Sequence, residues 1–282
     1  MTYDHSNKIG NKGDLIKHLA LTIAVREMAK SRHSFTYLDI HSGRSEYDLP
    51  STGEWRTGIG EFSEYCQNQK SLTPDLRYFC DVQSLDDIRQ TKKYYGSSKI
   101  ILNVLHNLDI EQIKPILCDT NPSVCKDLKF QFQYVPSAEI CCTDGYAKGY
   151  EVDSVDLVFI DPPDIREHYA PLMKLVRHYL PQGNQFISWN PLHGNVPQQT
   201  MSRNCLSVYE LAKREKIPSI TVRWTNGWSG QMCGCQMLFS IPNGHKVVNA
   251  CKALIKLMGW KTIEEEQHFP TKEVMTEDSG TT

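Results

Sequence analysis

The chain has 282 residues, of which 40% are hydrophobic and 23% charged, and its formal net charge is -2. A chain of this length can bury a sizeable core, either as one large domain or as a domain with an insertion. The near-neutral charge gives no global electrostatic reason to bind nucleic acid. The polar start and the lack of a membrane-length apolar segment predict a cytoplasmic protein that does not associate with membranes.

Strand-like and helix-like segments alternate along the chain, as in a parallel sheet covered on both faces. A helix is predicted from about residue 14 to 29, before the first strand. The last two predicted strands are joined by a short Gly-rich segment that is too short for a crossover helix, which indicates an antiparallel pair. This order predicts an α/β fold of the class I, Rossmann-like methyltransferase type, with seven strands at 35–40, 115–119, 138–144, 155–161, 185–189, 219–224 and 235–241.

One region interrupts the alternation. Residues 49–93 are polar with helix-like pieces, and we interpret them as a helical subdomain inserted into a methyltransferase domain made of residues 1–48 and 94–269. Residues 270–282 lack apolar periodicity and are predicted to be disordered.

The ten cysteines do not predict a metal site, because their spacing contains no pair of CxxC motifs. Several of them lie inside apolar strands, where a free thiol behaves as a small hydrophobic group. Basic residues form only local groups, which are either RNA contacts or ordinary solvated faces: Lys8, Lys12 and Lys17; Lys92, Lys93 and Lys99; Arg203, Lys213, Arg214 and Lys216.

The most informative stretch is DLVFIDPP at 156–163, an apolar run of strand length that ends in Asp161 and two prolines. Prolines cannot donate to a sheet ladder and they fix the backbone, so the Asp161 carboxylate and the Pro162 carbonyl would project as hydrogen-bond acceptors. Such acceptors suit an amino group. The alternative is a strand-ending turn with a solvated aspartate, since short motifs match by chance.

Four acids stand at predicted strand ends: Asp39, Asp119, Asp144 and Asp161. In an open parallel sheet, ligands bind beyond these ends. Asp119 is placed to accept hydrogen bonds from the ribose hydroxyls of a nucleoside, and Asp144 is placed to accept one from an adenine amine. Gly43 has no side chain and lets a ligand approach the backbone closely. Each acid alone is typical of a helix cap or turn.

The loop after the first predicted strand excludes one class of cofactor. A dinucleotide fold would place GxGxxG there, whereas HSGRSEY holds a single glycine. The pocket therefore favours a nucleoside cofactor without phosphate, such as S-adenosylmethionine.

The chain resembles the RlmJ family of 23S ribosomal RNA adenine-N6 methyltransferases over most of its length. The resemblance is most specific in the amino-terminal block and is carried by Tyr3-Asp4-His5-Ser6, Gly10 to Asp14, Lys17-His18, Tyr37 to Gly43, Tyr47, Tyr94-Tyr95, Ser98, Asp119, Pro122, Asp144-Gly145, Asp161-Pro162-Pro163 and Gly230 to Pro242.

This resemblance implies roles for individual residues. Asp161 matches the catalytic aspartate, and Tyr3 and His5 match an amino-terminal tail that lies over the active site. Positions that surround the cofactor in the family match Lys17, His18, His41, Ser98, Asp119, Asp144 and Gly145. For His18 the alternative is a structural hydrogen bond, and for Lys17 a solvated helix lysine.

Two residues depart from the family pattern. The family motif Asp-Pro-Pro-Tyr provides a ring that stacks on a flipped adenine, but this chain has Asp164. A base would lose a platform commonly worth ~1 to 3 kcal/mol, and a second carboxylate would stand near Asp161. In the first loop, Ser45 replaces a glycine, which is expected to reshape the aminoacyl end of the pocket.

Three functions follow from these residues. The leading hypothesis is methyl transfer from S-adenosylmethionine to an adenine N6 amine in RNA, with Asp161, Pro162, Asp164, Tyr3 and His5 around the acceptor. The second keeps the cofactor but changes the acceptor to a small-molecule or peptide amine, and the third is a non-catalytic S-adenosylmethionine-binding module. We expect a monomer that binds no DNA.

Overall fold

The computed structural model describes residues 8–67, 72–152, 154–163, 166–195, 197, 200–225 and 231–263. Tyr3, His5, Asp164 and the predicted disordered tail at 270–282 lie outside these residues.

The strands of the described residues are β1 Ser34–Asp39, β2 Glu46–Asp48, β3 Lys93–Tyr95, β4 Gln112–Cys118, β5 Glu139–Cys141, β6 Leu157–Ile160, β7 Phe186–Asn195, β8 Thr200–Met201, β9 Ser219–Arg223, β10 Met232–Ser240 and β11 Lys261–Thr262. The α-helices are α1 Lys12–Ala29, α2 Ile59–Gln67, α3 Pro74–Gln83, α4 Ile88–Thr91, α5 Ser97–Asn107, α6 Pro122–Gln131, α7 Gly145–Glu151, α8 Tyr169–Gln182, α9 Arg203–Arg214 and α10 Gly244–Leu257.

The main sheet has the order β11-β9-β10-β7-β6-β1-β4-β5, with β8 paired to β7. Strands β5, β4, β1, β6 and β7 are parallel, and β10 is antiparallel to both β7 and β9. The α/β class I methyltransferase fold is thus confirmed, as are the seven predicted strands and the antiparallel pair. Short β8 and β11 extend this sheet, while β2 and β3 form a separate pair.

Strand β4 begins at Gln112, three residues before the predicted start at Pro115. Proline is tolerated there because β5 pairs with β4 only from Ile116 onward, so one edge of β4 is open at Pro115. The central strand β6 is buried on both faces, which explains its continuous apolar run LVFI.

Helix α1 begins at Lys12, where the Asn11 side chain accepts a hydrogen bond from the Asp14 amide at 3.0 Å. Nearly all of its side chains are buried, because it packs against α5, α10 and the sheet. Its first turns therefore deliver polar residues to the interior, a placement that a solvated surface helix would not give.

Residues 49–93 contain α2, α3 and α4, and their apolar side chains share the core cluster that contains α1. A disulfide joins Cys66 of α2 to Cys80 of α3, with their Cα atoms 6.3 Å apart. The cysteine spacing gave no sign of this pair. The assignment of 49–93 as an inserted subdomain remains a prediction.

Two negative findings concern the described residues alone. They contain no helix long and apolar enough to cross a membrane. Within the same ranges, no three His, Cys, Asp or Glu side chains are grouped so as to hold a metal ion.

Candidate active site

A cavity of about 1250 Å³ opens beyond the carboxyl ends of the parallel strands, with the start of α1 forming one wall. This is where an open parallel sheet places its ligands. Among its lining residues are nine that the sequence analysis selected: Lys17, His18, His41, Gly43, Asp119, Asp144, Gly145, Asp161 and Pro162.

The strand order divides this cavity into two sides. We name the two sides after the substrates predicted for them, a methyl donor and a methyl acceptor. The region beyond β1, β4 and β5 is the donor side, and His41, Asp119 and Asp144 line it. The region beyond β7, β10 and β9 is the acceptor side, lined by Trp189 and Trp224 among others. Asp161 follows β6 and therefore lies at the boundary between the two sides.

Asp161 is held by a buried cation. The Lys17 Nζ lies 2.6 Å from Asp161 Oδ2 and 2.8 Å from Asp14 Oδ1. Burial alone would lower the pKa of Lys17, but the carboxylates of Asp14 and Asp161 more than reverse this and hold it above its usual range. Lys17 thus stays charged and fixes the ionised carboxylate at the end of β6.

The start of α1 fixes Lys17 in turn. The Gly10 amide donates to Asp14 Oδ2 at 2.7 Å, and the Asn11 side chain caps the Asp14 amide. Lys17 follows Asp14 by three residues and therefore lies on the same helix face. The sequence block GNKGD and Lys17 therefore act together: Asn11 caps the helix, Asp14 is held by the Gly10 amide, and Lys17 reaches from Asp14 to Asp161.

Asp119 connects two loops on the donor side. Its Oδ2 accepts from the Gly43 amide at 3.1 Å and its Oδ1 from the Asn121 amide at 2.7 Å. Burial raises the pKa of Asp119, against these two hydrogen bonds and the nearby Arg44. Gly43 has a φ of +60°, and a Cβ there would lie 2.5 Å from the Tyr47 hydroxyl, so the loop requires glycine.

Asp144 and Gly145 begin α7 and close the donor side. The Asp144 side chain caps the helix by accepting from the Tyr146 amide at 3.0 Å. A Cβ on Gly145 would lie 1.8 Å from the Ile40 carbonyl oxygen, so only glycine allows α7 to pack against the end of β1. Asp144 is thereby held next to the loop that follows β1.

The sequence profile of a family described as ribosomal RNA large subunit methyltransferase D, RlmJ, matches residues 32–217. The chain belongs to this family. It is 28% identical over 187 residues to ribosomal RNA large subunit methyltransferase J of Haemophilus influenzae, covering 62% of this chain and 64% of that protein. It is 29% identical over 172 residues to the protein of the same name from Escherichia coli, covering 58% of this chain and 59% of that protein.

The match therefore spans about three fifths of the length of each of these curated relatives. A crystal structure of a Legionella pneumophila protein superposes with a TM-score of 0.69 at 20% identity, covering 88% of this chain and 93% of that one. This structural likeness concerns the fold.

Three of the four strand-end acids, Asp119, Asp144 and Asp161, lie within the RlmJ match and line the cavity. Asp39 also lies within the match but behind the cavity wall, fully buried. Its Oδ2 accepts from the Ser97 hydroxyl at 2.5 Å and its Oδ1 from the His41 amide at 3.3 Å. Burial raises the pKa of Asp39 to about 7, against the hydrogen bond from Ser97.

Two other residues chosen from the RlmJ resemblance also lie off the wall. Ser98 is fully buried, while its neighbour Ser97 lines the cavity. Ser45 is buried and does not line it either. The adjacent serines at the start of α5 were a signal for this site, but the sequence could not say which of them faces the cavity.

His18 precedes the RlmJ match, and the structural hydrogen bond considered for it is present. It lines the cavity, and its Nδ1 lies 2.7 Å from the Tyr94 hydroxyl. The ring of His41 packs edge-on against the rings of Tyr146 and His168, with centroid distances of 4.8 Å and 5.7 Å. Burial, with a smaller effect of His168, lowers the pKa of His41 to about 3, so this ring cluster is uncharged at neutral pH.

Several cavity residues are not among those predicted from the sequence, including Asp14, Ser97, His168, Trp189 and Trp224. Trp189 has its ring centroid 5.2 Å from Lys17 Nζ and so covers the buried cation. Its position in the predicted strand 185–189 was visible, but nothing in a strand pattern shows that its last residue meets α1.

Proposed function

We propose that this chain transfers the methyl group of S-adenosylmethionine to the exocyclic N6 amine of an adenine in 23S ribosomal RNA. The observation that carries the proposal is the Asp161 carboxylate, fixed by Lys17 at 2.6 Å on the boundary between the donor and acceptor sides. A methyltransferase needs an acceptor-orienting group at this boundary, because its two substrates meet there.

The donor side suits a nucleoside sulfonium. Asp119 offers carboxylate oxygens for ribose hydroxyls, Asp144 stands near the helix start at Gly145, and His41 contributes an uncharged ring. The sulfonium carries positive charge, which an acidic wall attracts. Lys17, although cationic, is already paired with two carboxylates and does not oppose it.

At the boundary, Asp161 and the Pro162 carbonyl would accept hydrogen bonds from the adenine amine. This pulls the nitrogen towards tetrahedral geometry and aims its lone pair at the methyl carbon. S-adenosylmethionine, when bound, would supply a methyl group on a positively charged sulfur; the amine nitrogen would take this methyl group as the S–C bond breaks with its electrons left on sulfur, and one amine proton would pass to solvent. The acceleration comes from positioning and from exclusion of water, not from a strong base.

The cavity has room for both substrates. Small-molecule sites usually occupy about 300 to 1,000 Å³, so a cavity of about 1250 Å³ accommodates a cofactor together with a base. The adenine must leave its stack to enter, so an unpaired or extruded nucleotide is required. Tyr3, His5 and Asp164 are proposed to complete the acceptor site, and a cytoplasmic location follows from a ribosomal substrate.

Asp161→Asn tests the proposal. The amide keeps the shape but has a single acceptor oxygen, so it cannot serve both Lys17 and the amine as the two carboxylate oxygens do, and we expect turnover on unmodified 23S ribosomal RNA to fall roughly 100-fold or more. Affinity for S-adenosylmethionine, measured by calorimetry, should change only a few fold. Asp86→Asn on the protein surface is the matched control. Wild-type turnover by Asp161→Asn would remove Asp161 from catalysis.

A second candidate acceptor is a small-molecule or peptide amine, favoured by Asp164 in place of the family's stacking tyrosine and by the near-neutral net charge. Incubating the enzyme with methyl-labelled cofactor and fractionated cell extract separates the candidates. Label in RNA as N6-methyladenosine, with steep salt dependence, supports the first. Salt-insensitive label in metabolites or protein supports the second, and cofactor binding without any transfer supports a non-catalytic module.

A further inference from the structure

The acceptor side carries an aromatic side chain that the proposed chemistry does not use. Trp224 follows β9 directly, is half-buried and lines the cavity. Met232, the first residue of β10, lines the same part of the wall. This indole lies on the far side of the cavity from the donor residues, because β9 and β5 are on opposite flanks of the sheet.

Trp224 contacts its neighbours through both its backbone and its ring. Its amide donates to the Cys233 carbonyl at 3.1 Å, which continues the β9–β10 ladder. Its ring packs against Trp260 with centroids 5.7 Å apart and an interplanar angle of 58°. Arg223, the residue before it, is paired on both sides, with Gly234 of β10 and Lys261 of β11. A preorganised ring loses little entropy when a ligand stacks on it.

The position of Trp224 relative to Asp161 determines what it could bind. Between β6 and β9 lie β7 and β10, so the two strands are three strand spacings apart. At about 4.8 Å per spacing the two strands are ~14 Å apart, a separation that suits contacts of Asp161 and Trp224 with neighbouring nucleotides of one RNA strand. With the target base at Asp161, Trp224 is placed for a base that flanks it.

Cations on the wall of the same cavity fit this arrangement. Lys8 and Lys12 line the cavity where α1 begins. Lysines near an aromatic ring form the usual combination in single-stranded RNA sites, in which the ring stacks a base and the ammonium groups contact phosphates.

We propose that Trp224 is the platform on which a base flanking the target adenine stacks, so that this ring helps to select the RNA segment. The inference rests on the proposed RNA methylation and extends it from the reacting base to its neighbours. It assigns an aromatic contact to the acceptor side in a chain that has Asp164 at the position where the family provides a stacking ring.

The test uses Trp224→Leu and Trp224→Phe. Leucine keeps apolar contact with Trp260 but has no aromatic face, whereas phenylalanine keeps the face. The probe is the shortest fragment of unmodified 23S ribosomal RNA that the wild-type enzyme methylates. We expect Trp224→Leu to raise the KM for this fragment about 10-fold or more, Trp224→Phe to stay within about threefold, and neither to change cofactor affinity.

A double-mutant cycle identifies the stacked nucleotide. Each nucleotide flanking the target is replaced in turn by an abasic one, and KM is measured with wild type and with Trp224→Leu. We expect one position at which base removal weakens the wild-type enzyme but not the variant. Additive effects at every position, or wild-type KM for Trp224→Leu, would overturn the stacking role alone. If the wild type methylated no RNA, the proposed function itself would fail, which is a distinguishable result.

Discussion

Asp39, which is buried behind the cavity wall, and His41, which lines the cavity and is half-buried, are expected to drive stability in opposite directions as pH changes. Burial raises the pKa of Asp39 from its ordinary 3.8 to about 7, and burial lowers the pKa of His41 from 6.5 to about 3. Between pH 3.8 and 7 the folded protein keeps a proton on Asp39 that the unfolded chain has lost, so the Asp39 contribution to stability falls as pH rises. His41 stays neutral when folded, so its contribution falls as pH drops below 6.5.

The two effects nearly cancel in the wild type. Each group contributes about 1.4 kcal/mol per pH unit, with opposite signs, across the shared window from pH 4 to 6.5. Replacing Asp39 by Asn removes one of them. Over the 2.5 units of that window, Asp39→Asn should then lose roughly 3 kcal/mol of unfolding free energy on acidification relative to the wild type. His41→Asn should show the reverse, gaining relative stability as the pH falls.

Urea denaturation of the cofactor-free protein at half-unit steps from pH 4 to 7 measures these slopes. Asp86→Asn, which changes an exposed carboxylate, is the control for the charge difference. The curves of Asp39→Asn and His41→Asn should diverge from that of the wild type in opposite directions. Parallel stability curves for the wild type and the three variants would show that the pKa values of Asp39 and His41 are not shifted on folding as described.

Two further substitutions test the packing around the site. Gly145→Ala should cost ~1 to 3 kcal/mol of stability and weaken cofactor binding more than tenfold, because its methyl group meets the Ile40 carbonyl. Gly183→Ala, whose Cβ meets no atom within 4 Å but whose φ is +71°, should lower stability without affecting the cofactor; equal cofactor affinity in both variants would contradict the packing argument. The Cys66–Cys80 bond closes a loop of sequence separation 14. Replacing both cysteines by alanine should lower the unfolding free energy by about 3 kcal/mol, and identical urea midpoints would show that the bond contributes no stability.

Much of the fold followed from periodicity. The alternation of apolar runs and helical segments predicted the parallel strands, and the carboxyl ends of β4 and β6 placed Asp119 and Asp161 at one edge of the sheet. The two-residue strands β8 and β11 were missed, because they are too short to carry a pattern. The Cys66–Cys80 bond depends on how α2 and α3 pack, which spacing does not encode.

The site was harder to predict where a shift of one residue along a strand decides whether a side chain reaches the cavity or is buried in the core. Along β1, side chains alternate between faces: Phe35 and Tyr37 enter one core cluster, Leu38 and Ile40 the other. Asp39 shares the face of Tyr37, and its carboxylate is therefore covered by Ser97 of α5 instead of reaching the cavity. A strand end followed by an acid was visible in the sequence, but the layer that covers it was not.

The two sides of the cavity meet only at the end of β6, and this has an evolutionary consequence. Under the proposed function, substitutions on β7, β9 and β10 would redirect the enzyme to another RNA segment without changing the loops proposed to bind the methyl donor. Trp224 belongs to the half that is free to diverge. Such a division lets a lineage keep one chemical reaction while its choice of target drifts.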